Sequence, residues 1–245
     1  VLRPLAGARG MFTAEQVRRA VRPPVHYMPR TRVVSVEQTA NIVGGVCWPL
    51  AQVEAVCTAA RAAGLACHLD GARLLNAVVS TGTPARAFAA SFDSVWIDLT
   101  KGLGAPVGAV LAGSGDFIEE AWRYKQRFGG AMRQAGIIAA AGIYALRHHV
   151  ERLAEDHERA RRLARGLSGL PGIAVDAEQV ESNIVIFELD GAGIGGDEFA
   201  ERTLAGHGVR FSVIGPTTVR AVTHLDIPAD GIERALAAAS AALRT

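Results

Sequence analysis

The sequence predicts an α/β fold: a mostly parallel sheet sandwiched by helices, followed by a smaller α+β domain. Three observations carry this. Short β-branched or apolar runs at 32–37, 65–69 and 94–99 alternate with helical patterns. A long helical stretch, Ala131 to about Leu167, is then broken by Leu170-Pro171-Gly172. Beyond the break, strands and helices mix in another order. The expected division is 1–148 for the large α/β domain and 149–245 for the small α+β domain.

The elements follow in order. Thr13-Ala14-Glu15-Gln16 has the capping-box form and opens a helix to about Val21, stopped by Pro23-Pro24. Arg32 to Glu37 is a strand. Pro49 starts a helix with apolar residues at Leu50, Val53, Val56 and Ala60, and Gly64 ends it. Leu65–Leu69 and Ser94–Leu99 are short strands, and Gly108–Ala112 is a third, tightly linked to the second. The Ala131–Leu167 helical stretch bends near His148-His149. The second half contributes strands at Asn183–Leu189, near Val209-Phe211 and at Thr218–Val222, with helices at Asp197–Ala205 and Ile232–Leu243.

Composition narrows the function. At 245 residues, with 49% hydrophobic and 20% charged residues, the chain can bury a sizeable core. A formal net charge of +2 argues against nucleic acid as the main partner. No apolar run approaches the roughly 20 residues a bilayer span needs, so no membrane partner is expected, and no signal peptide is read in the opening residues. Cys47, Cys57 and Cys67 have no metal-ligand spacing, and no metal is expected; free thiols fit a cytoplasmic protein. The first residues, beginning at Val1, read as the middle of a fold, so an upstream segment is expected.

One residue choice points to chemistry. The chain holds 24 arginines and two lysines, Lys101 and Lys125. Arginine carries charge equally well but cannot act as a neutral amine. Lys101 stands in Leu99-Thr100-Lys101-Gly102, just past one strand; Asp70 stands in Leu69-Asp70-Gly71-Ala72-Arg73, just past another. Ligands of open α/β sheets bind beyond the carboxyl ends of strands. An amine and a carboxylate at one rim suit pyridoxal phosphate: the lysine forms a Schiff base with the aldehyde, and the carboxylate keeps the ring nitrogen protonated. A structural ion pair at the sheet edge is the alternative. Lys125, in the charged run Glu119 to Arg127, reads as surface charge.

Three segments share a wider resemblance: Cys67-His68-Leu69-Asp70-Gly71-Ala72-Arg73-Leu74, Leu99 to Gly108, and Gly129-Gly130-Ala131-Met132-Arg133-Gln134-Ala135-Gly136. With Leu153 to His157 and Arg220 to Asp226, they resemble the threonine aldolase family. These are pyridoxal-phosphate enzymes of the aspartate-aminotransferase fold, grouped with β-eliminating lyases. The resemblance implies that Lys101 forms the Schiff base and that Asp70 pairs with the ring nitrogen. It implies that Arg73 and Arg220 grip the substrate carboxylate and that Arg133 lies near the cofactor phosphate. It also implies a small amino-acid substrate, cleaved to glycine and an aldehyde, and a homodimer or homotetramer.

The sequence departs from the family in three places. Ala40, in Glu37-Gln38-Thr39-Ala40-Asn41, replaces a histidine that handles the substrate's β-hydroxyl, which implies a shifted side-chain preference. Gln126 stands where spacing back from Arg133 puts the family's lysine. The family's phosphate-binding Ser-Gly-Thr turn and ring-stacking histidine have no counterpart in the sequence. A β-eliminating lyase on the same scaffold and a truncated non-catalytic relative are the alternative functions.

Overall fold

In the computed structural model, which describes residues 1–244, β1 (Val33–Glu37), β2 (Ala66–Gly71) and β3 (Ser94–Asp98) lie side by side and parallel. A fourth strand, β4 (Ala109–Gly113), closes the sheet antiparallel to β3. The helices of this part are α1 (Ala14–Ala20), α2 (Leu50–Ala62), α3 (Leu74–Thr81), α4 (Ala85–Ala89), α5 (Gly115–Arg127) and α6 (Gly136–His148). The capping box of α1 forms with both of its bonds: Gln16 N–H donates to the Thr13 hydroxyl, and Thr13 N–H donates to the Gln16 side chain.

Strand alternation sorts the two faces of this sheet. Val36, Cys67 and Leu69 are buried on the face that α2 covers with Val53, Val56, Cys57 and Ala60. Register places Ser35, Glu37, His68, Asp70, Ser94, Trp96 and Asp98 on the other face. The Cys67 Sγ–H donates to the Cys57 carbonyl at 3.8 Å, and burial pushes both thiols up, that of Cys57 to about 12. These cysteines are core side chains rather than nucleophiles.

From Arg152 onward the architecture changes. The elements are α7 (Leu153–Ser168), β5 (Ile173–Ala174), β6 (Ile184–Leu189), α8 (Gly196–His207), β7 (Ser212–Val213), β8 (Thr218–Val222) and α9 (Ala229–Ala242). Their sheet has the order β5-β6-β8-β7 and is antiparallel throughout. Its core joins Val185, Phe187, Leu189 and Val219 to Leu163 and Leu167 of α7, Phe199 of α8 and Ile232 of α9. Contacts divide the chain into two units, Val1–Ala40 with Cys47–Glu151, and Asn41–Val46 with the residues from Arg152 on.

Two expectations need correction. The expected helix from Ala131 is two helices: residues 131–135 lie outside the helix, with a turn at 133–135, and His149–Arg152 separate α6 from α7. The expected strand near Val209–Phe211 begins only at Ser212, where pairing with β8 starts; Phe211 just before it packs in an aromatic cluster with Phe187 and Phe199, ring centroids 5.8 and 5.4 Å away.

Candidate active site

The rim of the first sheet is built by the turns that leave β1, β2 and β3. After β1, Gln38 is fully buried and its side chain exchanges two hydrogen bonds with the Trp48 backbone, at 3.0 and 3.1 Å. Its N–H donates to the Asp70 carbonyl at 2.8 Å, and its carbonyl accepts from Arg73 N–H at 3.1 Å. The first and second turns are therefore locked together.

Asp70 is half-buried near the end of β2, with Oδ1 accepting from Ala72 N–H at 3.1 Å. Arg73, 9% exposed, stands at the N-cap position of α3, where its side chain makes no capping bond. Between them, Gly71 leaves no room for a side chain: a Cβ there would lie 2.4 Å from the Trp96 carbonyl oxygen. Two residues back along the same face, His68 Nδ1 meets the Ser94 hydroxyl at 2.8 Å. Burial holds the His68 imidazole below its ordinary range, favouring the neutral ring, against the opposing pull of the Asp70 charge and of a bond with the Ser94 backbone.

Lys101 follows β3 in a loop that doubles back into β4. Gly104 N–H bonds the Lys101 carbonyl at 2.9 Å, Leu99 N–H bonds the Gly108 carbonyl at 3.1 Å, and Gly104 and Gly108 have φ of +68° and +118°. Those left-handed conformations account for glycine at these two positions. The Lys101 amine bonds Asp98 Oδ2 and lies 5.2 Å from the centre of the Trp96 ring. Trp96 is in turn the in-register neighbour of Asp70 across the parallel β2–β3 pair. Amine and carboxylate thus flank one indole on one face of the sheet.

Asp98 was not singled out from sequence, although Asp-x-Thr-Lys is a recognisable Asx-turn pattern. Its Oδ1 accepts from Thr100 N–H at 2.5 Å, the Thr100 hydroxyl at 2.6 Å and Lys101 N–H at 3.2 Å. Burial pushes this carboxyl up, but the bonds from Lys101 and Thr100 and the Lys101 charge outweigh it and hold it below its usual range. His149, where the sequence predicts only a bend, donates its Nδ1–H to the Leu103 carbonyl at 2.6 Å and pins the Lys101 loop. A contact spanning 46 positions leaves no local signal.

The remaining candidates stand on other elements. Arg133 is exposed in the turn between α5 and α6, and Lys125 is exposed on α5 with its amine 4.5 Å from the Trp122 ring. Ala40 is buried and lines a cavity of about 610 Å³ together with Glu37, Trp48 and the amino-terminal segment. In the second unit, Arg220 stands on β8 opposite Ile186, on the face turned away from the helices, with its Nε buried and without a hydrogen-bond partner. Among the described residues, no group of three or more His, Cys, Asp or Glu could hold a metal ion, and no helix is long and apolar enough to cross a membrane.

A helix-flanked, mostly parallel sheet with a lysine and an aspartate at its carboxyl rim defines a fold of the pyridoxal-phosphate transferase type. The sequence model of the family described as Beta-eliminating lyase matches residues 1–190, and the chain belongs to that family. It is 34% identical over 238 residues to low-specificity L-threonine aldolase 1 of Arabidopsis thaliana, covering 96% of this chain and 66% of that protein. The low specificity L-threonine aldolase of Escherichia coli K12 is 37% identical over 225 residues, or 91% of this chain and 63% of the relative. The threonine aldolase structure from Leishmania major superposes with a TM-score of 0.76 at 18% identity, covering 96% of this chain and 68% of that one, a likeness of fold. The chain spans no more than 66% of the length of these two curated relatives.

Proposed function

We propose that the protein acts as a pyridoxal-phosphate-dependent lyase that cleaves a β-hydroxy-α-amino acid, threonine or a bulkier analogue, to glycine and an aldehyde. The observation that carries this is the pairing of Lys101 and Asp70 about Trp96 on one sheet face. These two residues fit the aldehyde and the ring nitrogen of the cofactor by their chemistry. Among the described residues we assign no cradle for its phosphate.

In this reading Lys101 would hold the cofactor at its aldehyde carbon, and Asp70 would keep the ring nitrogen protonated. Arg73, at the start of α3, takes the substrate carboxylate, a charge-assisted bond worth about 1.5–3 kcal/mol. When bound, pyridoxal phosphate supplies a ring that takes up the electron pair left as the Cα–Cβ bond breaks. Removal of the β-hydroxyl proton falls to water or to a neutral histidine, because Ala40 has no group for it; His68 is on the same face as Asp70. The roles that the resemblance gives Arg220 and Arg133 belong to the same proposal. So do a cytoplasmic location, in keeping with three buried cysteines that form no disulfide, and a homo-oligomer.

The test is spectroscopic. Added pyridoxal phosphate produces a visible Schiff-base band, and borohydride fixes the label on Lys101; Lys101→Ala shows neither. A preparation that stays colourless with added cofactor refutes the proposal and leaves a non-catalytic relative. Ala40 favours one second reading, β-elimination, which yields a keto acid and ammonia instead of glycine and is separated by analysis of the products.

A further inference from the structure

We infer that Asp98 is a positioning residue for the Lys101 amine, gripping it as an ammonium at the end of β3 whenever that amine is not covalently engaged. The inference rests on the role proposed for Lys101. Its own support is geometric. All three bonds to Oδ1 come from the backbone and hydroxyl of Thr100 and the backbone of Lys101, so the Asx turn fixes the carboxylate plane. That leaves Oδ2 with a set direction, and the Lys101 amine occupies it. The Asp98 side chain is only 11% exposed while the lysine is 35% exposed, so the acceptor is preorganised and the amine is the mobile partner.

The division of labour between the two oxygens gives Asp98 a role that a mere turn former would lack. A turn needs only Oδ1, and asparagine would supply an equivalent acceptor. The charge on Oδ2 serves the amine alone. Asp98 therefore restrains a reactive lysine when it is free, stores its proton, and keeps it over Trp96 on the face that carries Asp70. Lys101 must give up both the contact and a proton to attack a carbonyl.

With two lysines in the chain, Lys125 is an internal standard. Wild type and Asp98→Asn are treated at pH 7.5 with trinitrobenzenesulfonate, an amine reagent indifferent to cofactor, and labelling of each lysine is read by peptide mass spectrometry. The ratio of Lys101 to Lys125 labelling rises about fivefold in Asp98→Asn, as expected for loss of a partly exposed ion pair, while hydrogen exchange of the 99–108 amides is unchanged. Thermal melting of the variant confirms that the fold survives. An unchanged ratio overturns the inference, and so does an increase accompanied by faster exchange across 99–108, which reports a loosened loop. The outcome is independent of whether pyridoxal phosphate labels Lys101, so failure here and failure of the proposed function are read separately.

Discussion

His157 gives the sharpest expectation about pH. It lies on α7, 2% exposed, beside the core residues Ala160, Leu163 and Ala164. Burial first, and then the Arg161 charge, pull its imidazole down to about 4, with Asp156 pulling weakly the other way. An unfolded chain takes up the proton near 6.5, whereas the folded one refuses it until about 4. The depressed folded value means that the stabilisation is fully present above 6.5 and is lost as the pH falls from 6.5 toward 4. The interval of about 2.5 units corresponds to about 3 kcal/mol in all, of which about 2 kcal/mol is gone by pH 5. Tryptophan and tyrosine fluorescence cannot follow this, because Trp48, Trp96, Trp122, Tyr27, Tyr124 and Tyr144 all belong to the first unit. Hydrogen exchange of the β6 and β8 amides reports the opening free energy where it matters. Between pH 7 and pH 5 that free energy falls by about 2 kcal/mol more in wild type than in His157→Gln, which cannot titrate. Parallel pH profiles for the two proteins would refute the reasoning.

Two other expectations are simpler. Gly71→Ala drives a Cβ to within 2.4 Å of the Trp96 carbonyl and must part β2 from β3, so it lowers the thermal midpoint and weakens cofactor labelling of Lys101 together; an unchanged midpoint would contradict the geometry. Trp122, Tyr124 and Phe128 of α5 and its end, with Ile137, Ile143 and Tyr144 of α6, are exposed apolar side chains. If a second copy covers them, light scattering gives a dimer or larger, and charged substitutions at Phe128 and Tyr144 shift it to monomer, while a monomeric wild type would exclude the homo-oligomer.

How much of this was legible in the sequence depends on the range of the interaction concerned. The strands around Val36, Cys67 and Leu69, the α2 helix and the capping box at Thr13 were readable because each is set by local periodicity or by a contact three residues long. Lys101 and Asp70 stood out for the same reason, as ionisable residues placed just after apolar runs. Trp96 did not, because its place between them comes from the β2–β3 register, which pairs residues 26 apart. The break between α6 and α7 was read as a bend, since the residues on both sides form helix well. The α3 and α4 helices, of eight and five residues, carry too few turns for a period to show. The segment Asn41–Val46 groups with the second unit through contacts such as the Ser182 hydroxyl on the Gly45 carbonyl, 137 positions apart.

The core and the candidate site are joined by a single constraint. Side chains on a strand alternate, so the register that turns Cys67 and Leu69 toward α2 also turns His68 and Asp70 to the opposite face. A slip of one residue would bury a carboxyl group among Val53, Val56 and Cys57 and expose the apolar pair, at a cost of several kcal/mol, comparable to the stability of an ordinary domain. The same holds for β3, where Trp96 and Asp98 share the face of Ser94. Packing and the β2–β3 ladder together thus enforce the position of Asp70 relative to Trp96. Only the last link, from Trp96 to the amine, is left to a flexible side chain. That is where a specific carboxylate, Asp98, has been placed.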